Sequence, residues 1–207
     1  MKFLDFAQIV RPECHGAPDF IIERAVRDSA IEFCKRTGVY IPEPEEILAV
    51  AGVNEYDLSV PSGTELNYIT DIFADSFKLQ PVSYNTLLEK LGDGSNKGSP
   101  AYYAQRDNAQ FFVAPIPDAT KKLRVLYSLK PSSTATSIPD TVGKENREAI
   151  AQGAIYRLQM MPGQAFTDMG SASNNKTLYE RQVGRTIRQV KYGFSGGSLT
   201  VRSRAFI

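Results

Sequence analysis

One histidine, two cysteines and two groups of carboxylates are the residues whose types and spacing invite a catalytic reading of this 207-residue chain. His15 is the sole histidine, so a Ser-His-Asp triad has no other base to use. It adjoins Cys14 in a segment flanked by proline and glycine, which suits a surface or packing residue. Cys14-His15 supplies half of a tetrahedral metal site, and no second Cys/His pair completes it. Cys34 falls beside Phe33 in a helical pattern and reads as a small core residue rather than a nucleophile. The Gly92–Ser99 stretch has the composition of a phosphate loop in the wrong order. Lys97 precedes Gly98 and Pro100 follows, whereas a phosphate loop needs Gly-Lys-Ser/Thr entering a helix. Glu43, Glu45 and Glu46, and Asp71 with Asp75, have the pairing that acid–base chemistry uses. Without an aromatic-lined cleft around them they read as solvated turns and strand edges. No catalytic, cofactor-binding or metal-binding residue is expected, and no enzyme.

Contact chemistry is better represented. The formal net charge is only +1, but it is unevenly spread. After Glu180 there is no acidic residue, while Arg181, Arg185, Arg188, Lys191, Arg202 and Arg204 are all basic. A segregated positive end favours an acidic protein surface, or a polyanion such as DNA, as its neighbour. Arg181, Arg185 and Arg188 share one helical face, either a solvated face or a subunit or partner contact. Tyr102, Tyr103, Phe111 and Phe112 fall on the two arms of a hairpin, with one of each pair expected to face outward. An outward aromatic row serves as a base-stacking platform in single-strand binders, or as a packing face under a loop or another subunit. A single-stranded nucleic-acid-binding module using this hairpin and the C-terminal arginines is therefore the alternative to an assembly protein. No apolar run approaches the roughly 20 residues that cross a bilayer, no signal-peptide core opens the chain, and two cysteines make no disulfide framework. These features fit a protein kept in cytoplasm.

The elements that position these groups define an α+β chain. Residues 1–17 fit a short helix or an extended arm equally. Asp19 opens a helix as its cap, with Ile22, Val26, Ala30 and Phe33 on one face and Gly38 closing it. Strands are predicted at Ile47–Ala51, Tyr56–Val60, Leu66–Phe73, Phe77–Leu79 and Lys122–Leu129, with a hairpin from Ala101 to Ala114. A brief helix over Ser83–Leu91 turns Leu87, Leu88 and Leu91 inward. A helix with Ile150, Ala154, Leu158 and Met161 in one stripe follows, broken at Pro162-Gly163. Gly153 costs about 1 kcal/mol against alanine there, which a tight helix crossing would explain. Gly170–Asn175 reads as a loop or frayed turn, and from Lys176 a helix resumes with a Tyr179, Val183, Ile187, Val190 seam. The expected organisation is a helical bundle scaffold from 1–45 and 138–192, an inserted antiparallel β-rich subdomain over 46–137, and an extended C-terminal arm over 193–207.

The order of these pieces resembles that of a known family. A leading helix is followed by Tyr56-Asp57-Leu58 before Pro61, then the Tyr102-Tyr103 hairpin ending in Ala114-Pro115-Ile116-Pro117. Next come Leu123–Leu129 with Lys130-Pro131, Ile138-Pro139-Asp140, and Ala149–Ala154 in a helix ending at Pro162-Gly163. From about Asp19 to Phe194 this is similar to the head-to-tail adaptor, or neck connector, proteins of short-tailed bacteriophages. The resemblance implies a structural virion protein without cofactor, forming a ring of about twelve copies between the portal and the tail nozzle. Double-stranded DNA would pass through it without sequence-specific binding, and the chain would sit in the virion neck after assembly in the host cytoplasm. A C-terminal arm with Leu199, Val201, Arg202, Arg204, Phe206 and Ile207 would reach the portal. Arg181, Arg185 and Arg188 would meet a subunit or the portal, and the four hairpin aromatics the tail or a neighbour.

Overall fold

A computed structural model describes residues 1–92, 94–106 and 109–193. The arm residues Leu199, Val201, Arg202, Arg204, Phe206 and Ile207 lie outside the described residues. The fold class is α+β, as expected, and helices and strands each build their own core.

The N-terminus is helical rather than extended. A 3-10 turn (Phe3–Phe6) runs into α1 (Ala7–Val10), burying Phe3, Phe6, Ala7 and Val10. The long helix α2 (Asp19–Thr37) buries Ile22, Val26, Ala30 and Phe33, the face its spacing predicts. Each large apolar side chain in that row contributes about 1.5–3 kcal/mol by leaving water. Asp19 is not the cap. Pro18 occupies that position with no side-chain bond, and Asp19 accepts from Arg11 instead at 2.7 Å. Gly38 ends the helix in the left-handed conformation that lacks a Cβ penalty.

α4 (Asp140–Glu145), α5 (Arg147–Gln159) and α6 (Met169–Tyr192) complete the helical part. α2, α5 and α6 pack mutually, and α1 lies against α5. Gly153 sits at the crossing. A Cβ built there would collide with Ser29 Oγ and stand 2.8 Å from the Tyr179 ring, so α2 and α6 both approach the α5 backbone at this point. Gly163 has a positive φ of 73° where the chain turns after α5. The expected loop at Gly170–Asn175 is instead the first part of α6. Asp168 caps it by accepting from the Ser171 N–H at 3.0 Å and from its hydroxyl at 2.7 Å. Ala172 and Asn175 are buried, and the Asn175 amide donates to Gln159 Oε1 at 3.1 Å. A cap and burial thus hold a sequence of poor helix propensity in helix. The seam of α6 is Tyr179, Val183 and Thr186, with Ile187 exposed on the flank.

Among the described residues the strands form two four-stranded sheets and a short pair. The first sheet has the order β1 (Glu45–Ala49), β10 (Lys121–Pro131), β3 (Thr64–Ala74), β4 (Phe77–Lys78), all antiparallel. Two register shifts bend the β3–β10 ladder, after Leu126 and after Ser128. The second sheet has the order β2 (Glu55–Asp57), β8 (Gln110–Ala114), β7 (Tyr102–Gln105), β5 (Gln80–Pro81), with β5 and β7 parallel. β6 (Lys97–Gly98) and β9 (Ile116–Pro117) form the parallel pair, so the β region is mixed rather than wholly antiparallel. Ile72, Leu123 and Val125 of the first sheet share a core with Tyr56, Tyr103, Phe111 and Val113 of the second. α3 (Tyr84–Leu91) covers the other face of the second sheet, packing Leu87 and Leu91 on Ala104, Phe112 and Ala114. Leu88, expected inward, is exposed. The helical core draws on Phe3 to Cys34 and Ala135 to Val183, and Tyr40 packs against both it and the sandwich core. The α2 end meets the first sheet where the Asn67 amide donates to the Cys34 and Lys35 carbonyls, each at 3.2 Å.

Candidate assembly surfaces

Most of the groups that suggested catalysis are buried or held in ion pairs. Cys14 and Cys34 are buried and unpaired, and burial pushes their thiols up to about 11 and about 12, away from reactive thiolate. His15 is exposed. Asp71 bridges Lys78 at 2.5 Å, Asp75 faces Lys121 at 3.7 Å and Glu46 bridges Lys122 at 2.7 Å. Glu45 accepts the Ser59 N–H. These are strand-edge ion pairs. Among the described residues no group of three or more His, Cys, Asp or Glu side chains could hold a metal ion. No described helix is long and apolar enough to cross a membrane.

The hairpin does not present an aromatic row. β7 and β8 pair as expected, but the register sets Tyr102 opposite Ala114, Tyr103 opposite Val113, Ala104 opposite Phe112 and Gln105 opposite Phe111. Tyr103 and Phe111 point into the sandwich core, and Phe112 points under α3. All three are buried, because both faces of this sheet are covered. Tyr102 is half-buried, with the Lys90 ammonium 3.8 Å from its ring centre. The described residues of this hairpin therefore present no exposed aromatic row, since Tyr103, Phe111 and Phe112 are buried within the chain.

α6 does carry an arginine face. Arg181, Arg185 and Arg188 are all exposed and, among the described residues, have no carboxylate within ion-pair distance. Arg185 borders a polar recess of about 490 Å³ that also includes Lys144 and Arg147. On another side of the helices, ion pairs tie three elements together. Arg36 holds Glu180 through two bonds of 2.8 and 2.6 Å and Glu32 at 3.2 Å, and Glu32 is bonded to Arg157. This clamp runs α6–α2–α5 across the Tyr179 ring, over which the Arg36 guanidinium sits at 6.0 Å.

Hydrogen bonding from Arg36, ahead of opposing desolvation, holds the Glu180 carboxyl below its ordinary value. Its stabilising share is present above the unfolded carboxyl pKa and is lost as pH falls through the lowered one. Arg36→Met should therefore cost no more than about 1 kcal/mol near neutrality, since both partners are over a third exposed. Urea titrations at descending pH should show the gap to the unaltered protein closing in acid. A gap that widens in acid would contradict this assignment.

Several apolar side chains stand out on the surface. Phe77 is 76% exposed, Phe20 72%, Leu48 66% and Met169 63%. Phe77 follows the two-residue turn of Asp75, which has a positive φ of 52°, and Ser76. Its strand pairs only with Phe73 and Ala74. The Asp75-Ser76 turn in the sequence was the available signal that Phe77 lies at an edge. Together with Tyr102 and Pro100 it lines a groove of about 430 Å³.

Exposed arginines and apolar side chains are thus the main surface features of the described residues. No curated protein matches the chain. The model of the SU10 adaptor protein family matches residues 1–202, helices and sandwich alike. That span takes in nearly the whole chain and agrees with the adaptor order of its elements, so this protein belongs to the SU10 adaptor protein family, whose members are structural adaptors of bacteriophages.

Proposed function

We propose that this chain is the subunit of a head-to-tail ring that joins the portal to the tail and extends the DNA channel. The family match over residues 1–202 carries this reading, since it embraces every described element. The physical features support it. The three helices are locked by a close crossing and an ion-pair clamp, which suits a rigid wedge. The chain carries an arginine face with no ion pair among the described residues, and exposed apolar side chains.

In this reading about twelve copies close the ring, with the helices as its body and the sandwich directed outward or to the tail nozzle. Arg181, Arg185 and Arg188 contact a subunit or the portal. The C-terminal segment with Leu199, Val201, Arg202, Arg204, Phe206 and Ile207 reaches the portal. Double-stranded DNA passes without sequence-specific contact, the assembled ring resides in the virion neck, and the chain catalyses nothing.

Loss of the protein during infection should give DNA-filled heads without tails, which lose their DNA on standing. Normal infectious particles made without it would overturn the proposal. Reversing the arginine face (Arg181→Glu, Arg185→Glu, Arg188→Glu) should leave the fold intact and weaken ring or portal association at least about tenfold, as expected for close charge pairs. Sedimentation at low and high salt would read this out, and unchanged association would remove the face from the interface.

A further inference from the structure

The first sheet has two unlike edges that match each other. β4 is one edge and β1 the other. The pairings Lys78↔Phe73, Phe73↔Arg124 and Arg124↔Glu46 place Lys78 and Glu46 at opposite ends of a single row across the sheet. Three interstrand steps separate them by roughly 14 Å.

Beside β4 lies the groove lined by Phe77, Lys78, Pro100 and Tyr102, apolar at its walls and basic at its rim. Lys90 adds a second cation, seated on the Tyr102 ring. Leading into β1 is Ile41-Pro42-Glu43-Pro44-Glu45-Glu46. Its first four residues are in no helix or strand, with Ile41, Glu43 and Pro44 exposed. Pro42 and Pro44 fix their own φ and bias Ile41 and Glu43 to extended backbone, the low-entropy form that aromatic grooves accept. The strap is acidic and carries an apolar residue, Ile41, that is 56% exposed. The charge of Glu43 and the apolar Ile41 are complementary to the Lys90 ammonium and the Phe77 and Tyr102 rings of the groove. A proline at the mouth of β1 and a β4 of only two residues also disfavour simple strand addition between copies.

We infer that the Ile41–Glu46 strap of one copy docks in the Phe77–Tyr102 groove of the next. Because strap and groove lie on opposite edges of one sheet, the contact is head-to-tail, the kind that repeats into a closed ring. The inference rests on the ring reading above and names one of its subunit contacts. Phe77 and Ile41 form its apolar centre. Glu43 faces Lys90 at its rim, where Lys78 is already shared with Asp71 and Glu46 with Lys122.

The test uses full-length chains carrying Glu43→Cys or Lys78→Cys, since the native cysteines are buried. The two are mixed under assembling conditions, with a portal ring added, and oxidised. Disulfide-linked mixed dimers are expected, at least about tenfold above a control pairing of Glu43→Cys with Lys176→Cys. Phe77→Ser should reduce assembly at least about tenfold without changing the melting temperature of the free chain. Glu43→Lys, which disturbs no ion pair among the described residues of its own chain, should do likewise and be rescued by Lys90→Glu in its neighbour. Oligomers that form normally without the mixed disulfide, or that ignore Phe77→Ser, would overturn this contact and leave the ring standing. Failure to assemble under any condition would remove the ring and this contact together.

Discussion

Tyr179→Ala is expected to lower the free energy of unfolding by about 3–5 kcal/mol. The Tyr179 ring is fully buried where three helices meet, with Phe33 centred 6.3 Å away and Tyr156 5.9 Å away. The backbone at Gly153 forms the floor of the site, so helices cannot easily close on the void. Transfer loss and cavity cost therefore add. Tyr179→Phe, which keeps the ring packing, should cost far less. The reciprocal change, Gly153→Ala, has two opposing parts. Helix propensity gains about 1 kcal/mol, while forcing a methyl group into the Ser29 and Tyr179 contacts costs about 1–3 kcal/mol. A net loss is expected because Ser29 Oγ is held by its 2.8 Å bond to the Ile150 carbonyl and cannot swing away freely. Urea unfolding monitored by helical ellipticity measures both. A stabilised Gly153→Ala, or a Tyr179→Ala loss below about 1 kcal/mol, would show that the crossing is not the keystone of the helices.

Phe111→Ala is expected to cost a similar amount, about 3–5 kcal/mol, but in the sandwich. Phe111 is fully buried between the sheets, 5.7 Å from Tyr56 between ring centres. It holds the second sheet to Ile72, Leu123 and Val125 of the first. The helical core shares none of these residues. Loss should therefore fall on the sandwich, with hydrogen exchange quickening in β3, β8 and β10 well before α5 and α6. Uniform quickening across both parts would count against treating residues 46–137 as an inserted unit.

The two expectations differ in how readily their residues could be read from sequence. The buried face of α2 was legible because Ile22, Val26, Ala30 and Phe33 obey helical spacing without competition. Gly153 was legible as a crossing because glycine inside an apolar helix calls for a reason, and close approach is the commonest. The start of α6 was hidden, since Gly170–Asn175 has poor propensity and is held in helix by the Asp168 cap and by the burial of Ala172 and Asn175. The α6 seam was drawn through Ile187 because isoleucine outranks threonine in any hydropathy pattern. The geometry buries Thr186, whose hydroxyl stands 3.5 Å from Asn146 Oδ1.

The hairpin's existence was plain, but its exposure was misjudged. Phe111-Phe112-Val113-Ala114 is an unbroken apolar run, the mark of a strand buried on both faces, and α3 supplies the second cover. The surface pair of strap and groove was not legible at all. Pro42 and Pro44 showed an extended segment, but nothing in the linear order placed Lys78 and Glu46 on one row of a sheet. That fact depends on the long β10 separating β1 from β3.

We propose that this protein works as one subunit of a closed ring seated on a portal. Native mass spectrometry of the full-length chain, alone and mixed with purified portal rings, tests it most directly. A complex is expected in which a fixed number of copies, about twelve, joins each portal ring without a ladder of partial fillings. A chain that stays monomeric at every concentration, and leaves the portal mass unchanged, would contradict it.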